Sequence, residues 1–156
     1  MPESEKKISQ YIRIFEQLQK LLSESPDLIA QLSTINAILY HKIPYIFWIG
    51  FYFLQDNKLI VGPYQGPLAC QILPNLKGVC WKAVLDKKPV TVGNVHEFKD
   101  HVACDSRSKS EIVIPVFDKQ KNVIAVLDAD SNKYQSFDNQ DESGLTRIVS
   151  LIRTLE

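Results

Sequence analysis

The chain reads as an α+β domain, a central and mostly antiparallel sheet with N- and C-terminal helices packed on it. Three observations predict this. Two helix-period stretches come first, a run of short strands joined by tight turns follows, and a helical pattern closes the chain. Tight turns join strands head to tail, so antiparallel pairing dominates.

Each element has its own signal. Residues 5–22 set Ile8, Tyr11, Ile12, Phe15, Leu18, Leu21 and Leu22 at helical spacing along one side. Ser25-Pro26 reads as an N-cap followed by proline at the first helical position. The second helix then runs to about Tyr40, with Leu28, Ile29, Leu32, Ile35, Ile38 and Leu39 facing inward. Aromatic and β-branched residues over 45–54 predict a strand, Asp56-Asn57 a turn and residues 59–61 its hairpin partner. Turn-formers fill 62–67, and 69–73 reads as a further strand. Residues 78–87 give a short helix buried through Val79, Ala83 and Val84, and 89–92 a short strand. The stretch 93–109 has no period and reads as a loop, a length that is usually functional. Strands over 111–117 and 122–128 follow, joined by the turn 118–121. A last helix starts near Asp138 and buries Leu145, Ile148, Val149, Ile152 and Leu155. With no repeat and no linker, residues 1–156 read as one domain.

Bulk properties exclude several classes. The 156 residues are 45% hydrophobic and 23% charged, the balance of an ordinary globular domain. Eighteen Lys and Arg offset eighteen Asp and Glu. Nucleic acid is therefore not the expected partner, because phosphate binding needs a basic excess or stripe. No apolar run reaches the roughly 18 residues of a membrane span, and the polar N-terminus lacks a signal-peptide core. A cytoplasmic protein without a membrane partner is expected. Three cysteines do not make a secreted disulfide framework, so they are buried hydrophobes, metal ligands or redox-active thiols.

Cys104 lies in the polar loop, within His101-Val102-Ala103-Cys104-Asp105. Free cysteine is often simply buried. A thiol becomes a nucleophile when it is partly exposed and a nearby positive charge stabilises its thiolate. His101, Arg107 and Lys109 are candidates for that charge, and Asp105 acts in the opposite sense. Zinc is the alternative, with His101, Cys104, nearby His96 and either Cys70 or Cys80 as ligands. The paired short spacings usual in zinc sites are missing. His41 ends the second helix with no chemical partner and reads as a surface residue.

A second constellation is acidic. Asp128 and Asp130 are two apart on a strand and leave the same face. If 118–121 is a hairpin turn, Glu111 lies near both across it. Such carboxylates are either solvated strand-end residues or a crowded cluster in which at least one has a raised pKa. A cluster of that kind binds an ammonium group, donates a proton, or does both. Trp48 and Tyr52 share a strand face with Gly50 between them. They are core aromatics or one wall of a small apolar pocket, with Gly50 letting a ligand approach the backbone.

These residues together resemble the free methionine-(R)-sulfoxide reductases, a catalytic branch of the GAF domain fold. The resemblance runs in order over roughly residues 45–140. Its pieces are Trp48-Ile49-Gly50-Phe51-Tyr52, Gly62-Pro63-Tyr64-Gln65-Gly66 leading to Ala69-Cys70, and Gly78-Val79-Cys80. Then come His101-Val102-Ala103-Cys104-Asp105, Ser108-Lys109-Ser110-Glu111-Ile112-Val113 with Pro115, and Leu127-Asp128-Ala129-Asp130-Ser131. The resemblance implies a GAF-like fold and assigns roles. Cys104 is the attacking cysteine, Cys70 the resolving cysteine that forms a disulfide with it, and Cys80 an auxiliary third. Glu111, Asp128 and Asp130 hold the substrate amino group and assist at the sulfoxide, while Trp48 and Tyr52 receive its methyl group. It further implies a thioredoxin-type reductant, a homodimer, and no metal or organic cofactor.

Two positions depart from the family pattern. Leu76 and Trp81 stand where the family usually has glycine, which stiffens the turn and helix start. Trp81 is expected to pack over the pocket. Two rivals remain at this stage: a non-enzymatic GAF module that binds a small molecule, and a redox switch that needs the cysteines but not the acids.

Overall fold

The computed structural model describes residues 1–25 and 27–154. Helix α1 (Glu3–Ser23) carries Glu3 and Glu5 in its first turn and Lys20 in its last, each matched to the helix dipole. Its buried arc is Tyr11, Ile14, Leu18 and Leu22, while Ile8, Ile12 and Leu21 face solvent. The helical period holds, but the arc is rotated from the expected one. The apolar residues spread well around this helix, and the core takes the side centred on Leu18. Helix α2 (Leu28–Lys42) begins at Asp27, whose carboxylate accepts from the Ile29 N–H at 2.9 Å. The cap is therefore not Ser25, and Pro26 lies outside the described residues. Leu32, Ile35 and Leu39 are buried as expected, whereas Ile29 is exposed.

Strands β1 (Trp48–Gln55) and β2 (Lys58–Gln65) form a hairpin through Asp56 and Asn57, both at positive φ, the geometry of a type I′ turn. The strand β2 is longer than expected and keeps Gly62 to Gln65. It is an edge strand, where Pro63 owes no N–H to a further neighbour. The strand expected over 69–73 shrinks to a single bridge between Ile60 and Ile72. Leu68 and Ile72 there are exposed, so no apolar face holds a longer strand down.

Helix α3 (Val79–Asp86) starts at Gly78 and stops at Lys87, whose left-handed conformation ends the helix. Strand β3 (Val90–Val92) and a single 3-10 turn (Val95–Glu97) precede the loop. Strands β4 (Ser110–Phe117) and β5 (Val123–Ser131) form the second hairpin. Helix α4 (Asn139–Val149) opens with a capping box between Asp138 and Asp141. Ile152 lies half-buried beyond the helix end, and Leu155 lies outside the described residues. The sheet order is β2-β1-β5-β4-β3, and every pairing is antiparallel. No helix among the described residues is long and apolar enough to cross a membrane.

Strand alternation divides the core in two. Ile49, Phe51, Ile112, Ile114, Leu127 and Ala129 point at α1, α2 and α4. Trp48, Tyr52, Val113 and Val126 point the other way, where α3 covers part of the sheet with Val79, Ala83 and Val84. The uncovered part of this second face holds the pocket.

The helical layer is pinned by one carboxylate. Asp141 is fully buried and accepts from Tyr11 Oη at 2.8 Å, Lys7 Nζ at 2.6 Å, the Asp138 N–H at 2.8 Å, and Tyr45 Oη. Burial alone would lower the Lys7 pKa, but its hydrogen bonds to Asp141 and Asp138 reverse the sign and hold it raised. Asp141→Ala leaves Lys7 without its closest counter-charge and strands two tyrosine hydroxyls. We expect a loss of about 3–5 kcal/mol in urea unfolding. Unchanged unfolding would show that water replaces the carboxylate at no cost.

Candidate active site

The pocket lies at one end of the β1–β5–β4 sheet. Register fixes its floor: Glu111 on β4 pairs with Asp130 on β5, and Asp128 lies between Val113 on β4 and Gly50 on β1. The three carboxylates expected to cluster therefore do so, and Glu111 and Asp128 are each only 6% exposed. Trp48 and Tyr52 rise from β1 beside them with ring centroids 5.9 Å apart, and form one wall.

Those aromatics are held in place. Trp48 Nε1 donates to the Pro67 carbonyl at 3.0 Å, and Tyr52 Oη donates to the Cys70 carbonyl at 3.3 Å. Tyr64, not singled out from the sequence, stacks on the outer side of Trp48 at 5.5 Å. A side chain at Gly50 would strike Tyr64 Cβ and the Trp48 ring. The glycine thus makes room for the stacked aromatics, and it is not a gap through which a ligand reaches the backbone.

The opposite wall is the loop before β4. Cys104 on this loop is bonded to Cys70, with Cα atoms 5.5 Å apart. The bridge joins the two irregular segments that frame the mouth. Gly78, at φ +91°, lies against Val102, so the start of α3 and the loop touch. Cys80, one residue into α3, is buried and free. Ala69, Leu73, Val79, Val102 and Ser108 complete the lining. They sit in irregular chain or at a helix start, where neither a 2.0 nor a 3.6 period marks a pocket-facing residue.

The three candidate cations for Cys104 are otherwise engaged. Arg107 makes two contacts to Asp105, at 2.7 and 3.0 Å, and lies over the Phe47 ring. Lys109 lies over the Tyr134 ring. His101 faces Glu111, with Nε2 3.6 Å from Oε2, and burial lowers its pKa, which favours neutral imidazole. The zinc set of His96, His101 and Cys104 is not assembled, because Cys104 is bridged to Cys70 and His96 packs against Tyr134. His41 is exposed in the last turn of α2, as expected.

The two departing positions have distinct fates. Leu76 adopts φ +58°, a conformation natural to glycine, and its side chain is exposed. Trp81 does not cover the pocket. It is buried on α3, and its Nε1 has no hydrogen-bond partner among the described residues.

Crowded carboxylates in a dry site resist ionisation. Burial, then the charge of Asp130, pushes Glu111 up to about 8. Burial, with Glu111 beside it, raises Asp128 well above its usual range, and burial with Asp128 does the same for Asp130. Burial, then Asp128, raises the Cys80 thiol. The site therefore holds protons at neutral pH that free carboxylates would have released. It offers a proton donor, anionic charge for a cation, and an apolar wall, all beside a sulfur bridge.

A sheet of this order, backed by helices on one face and open to a pocket on the other, places the chain among GAF domains. The GAF domain model matches residues 43–154. GAF domain-containing protein A of Dictyostelium discoideum is 42% identical over 147 residues, covering 94% of this chain and 92% of that protein. The free methionine-R-sulfoxide reductase of Escherichia coli (strain K12) is 38% identical over 140 residues, covering 90% and 84%. The structure of the Neisseria meningitidis free methionine-R-sulfoxide reductase in complex with its substrate superposes with a TM-score of 0.90 at 36% identity, covering 94% and 87%. The chain belongs to the free methionine-R-sulfoxide reductase family of GAF domains.

The acidic floor has a pH signature. Glu111 has a folded pKa of about 8 against an ordinary 4.5, so the fold favours its protonated form. That stabilisation is complete below pH 4.5 and is lost as pH rises through 8, at up to about 1.4 kcal/mol per pH unit. His101 works in the opposite sense below pH 6.5, so the difference between two proteins is the clean readout. Wild type should lose more unfolding free energy than Glu111→Gln between pH 5 and 8 in matched denaturant titrations. Parallel curves would mean that Glu111 ionises normally.

Proposed function

We propose that the protein reduces free methionine-(R)-sulfoxide to methionine. The observation that carries this reading is the Cys70–Cys104 bridge at the mouth of a pocket floored by Glu111, Asp128 and Asp130. The relatives named for this reaction support it.

In the reduced enzyme Cys104 is the nucleophile. A sulfoxide sulfur is a poor electrophile until its oxygen gains a proton or a strong hydrogen bond. A protonated carboxyl of the acidic floor supplies that proton, in keeping with the raised pKa of Glu111. The Cys104 thiolate bonds to sulfur, the S–O oxygen passes to Cys104, and methionine leaves as the thioether. Cys104 is then a sulfenic acid. The Cys70 thiol attacks it, water departs and the disulfide forms. The bridge described above is the product of that step. Cys104 lies exposed in it, open to an external dithiol of the thioredoxin type, which takes the oxidising equivalents and restores both thiols.

The remaining carboxylates hold the free α-ammonium. An amide nitrogen carries no such charge, so free methionine sulfoxide is favoured over the peptide-bound form. Trp48 and Tyr52 receive the methyl group, and the preference for the R epimer is the one the relatives are named for. Cys80 is an auxiliary thiol, because burial holds its proton on. The protein acts in the cytoplasm, in keeping with a polar N-terminus and no apolar span, and as a homodimer, as the resemblance implies.

Turnover with dithiothreitol as reductant tests the reading on the free R epimer, the free S epimer and a peptide-bound sulfoxide. Only the first should be consumed, and Cys104→Ser should be inactive. Glu111→Gln and Asp128→Asn should each lower kcat/KM by roughly 100-fold or more, the usual worth of a positioned acid. No turnover of any sulfoxide by the wild type would leave a ligand-binding module. A redox function that survives both acid substitutions would leave a switch.

A further inference from the structure

We propose that Cys80, Glu111 and Asp128 bind a thiophilic divalent cation, zinc foremost. Cys80 Sγ and one carboxylate oxygen from each of the two acids lie within 4.8 Å of one another, and all three residues are buried. A thiolate with two carboxylates is a donor set that zinc accepts, at about 2.3 Å to sulfur and about 2.0–2.2 Å to oxygen.

A second observation points to a ligand here. Asp128 Oδ1 has no hydrogen-bond partner among the described residues, although Asp128 is only 6% exposed. A desolvated carboxylate oxygen facing a pocket without a donor calls for a cation or an N–H. All three residues line the pocket, so a cation held by them would be reached from it. His101 Nε2, 3.6 Å from Glu111 Oε2, is placed to orient that carboxylate. Binding releases to solvent the Cys80 proton and any proton held by Glu111 and Asp128, and forms one metal–sulfur and two metal–oxygen bonds.

The donor set also selects among cations. Magnesium demands near-octahedral oxygen coordination and makes no use of sulfur, so it is excluded. This set differs from the His101–Cys104 grouping weighed from spacing, and it survives oxidation because Cys80 stays outside the bridge. The cation occupies the carboxylates proposed to hold the ammonium, so zinc and substrate exclude one another.

The test uses the oxidised protein, in which Cys70 and Cys104 cannot ligate. Zinc chloride is titrated by calorimetry and cobalt(II) chloride by absorption spectroscopy, with magnesium chloride as the control. One zinc per chain, a thiolate-to-cobalt charge-transfer band and no magnesium binding are expected. Cys80→Ala should abolish the band and weaken zinc binding by about tenfold or more, and Asp128→Asn should weaken it comparably with the band retained. Circular dichroism checks that each variant folds, and Asp128→Asn carries the test if Cys80→Ala does not. Absence of zinc binding, or affinity unchanged in the folded variants, overturns the proposal. Either result leaves sulfoxide turnover to be judged separately.

Discussion

Everything in this fold depends on the register of three antiparallel strands. A β-strand sends alternate side chains to opposite faces, so β4 and β5 must pair with Glu111 opposite Asp130. Ile112, Ile114, Leu127 and Ala129 then enter the helical core, while Val113 and Asp128 face the pocket. A slip of one residue would send three acids into the aliphatic layer and four aliphatic side chains into the pocket. The hydrophobic layer that stabilises the sheet therefore also positions the acids, and function comes with the fold at no separate step.

The acids in turn set the character of the site. In water, three carboxylates at these positions would all be ionised. Here burial raises their pKa values first, and mutual repulsion adds to it. Asp141, buried in the other layer, has a different surrounding: four hydrogen-bond donors, one of them the Lys7 ammonium, converge on it. One acid is saturated with donors and holds helices together. On the opposite face, Asp128 keeps one oxygen without a partner among the described residues, open to an incoming molecule.

Much of this was legible in the sequence, for identifiable reasons. Strands β4 and β5 and the turn between them are marked by β-branched runs and Asp118, and from them follows the Glu111–Asp128–Asp130 cluster. The Trp48–Tyr52 wall followed from their spacing on one strand. The cysteine bridge came only from resemblance, since no spacing rule pairs Cys70 with Cys104 across 34 residues. The buried arc of α1 was misplaced because apolar residues on both sides of Tyr11 satisfy one helical period equally. Tyr64 was hidden because Gly62, Pro63 and Gly66 read as a turn, when Pro63 in fact sits on an edge strand. Trp81 and Gly50 were read as facing a ligand, and their neighbours in space, not in sequence, decided otherwise.

The Cys70–Cys104 link also closes a covalent ring through the chain. Within the ring lie β3 and α3, the latter bearing pocket-lining Val79 and the free Cys80. Chain-entropy reasoning for a loop of 34 residues puts the tether at about 4 kcal/mol in favour of the folded state. By thermodynamic closure, folding favours the link by the same amount. In the proposed reaction the link is made and broken in each cycle, so the domain alternates between a tougher and a softer form of itself. On that proposal the softer form is the one that accepts substrate, and the protein ready to react is also the one more exposed to unfolding.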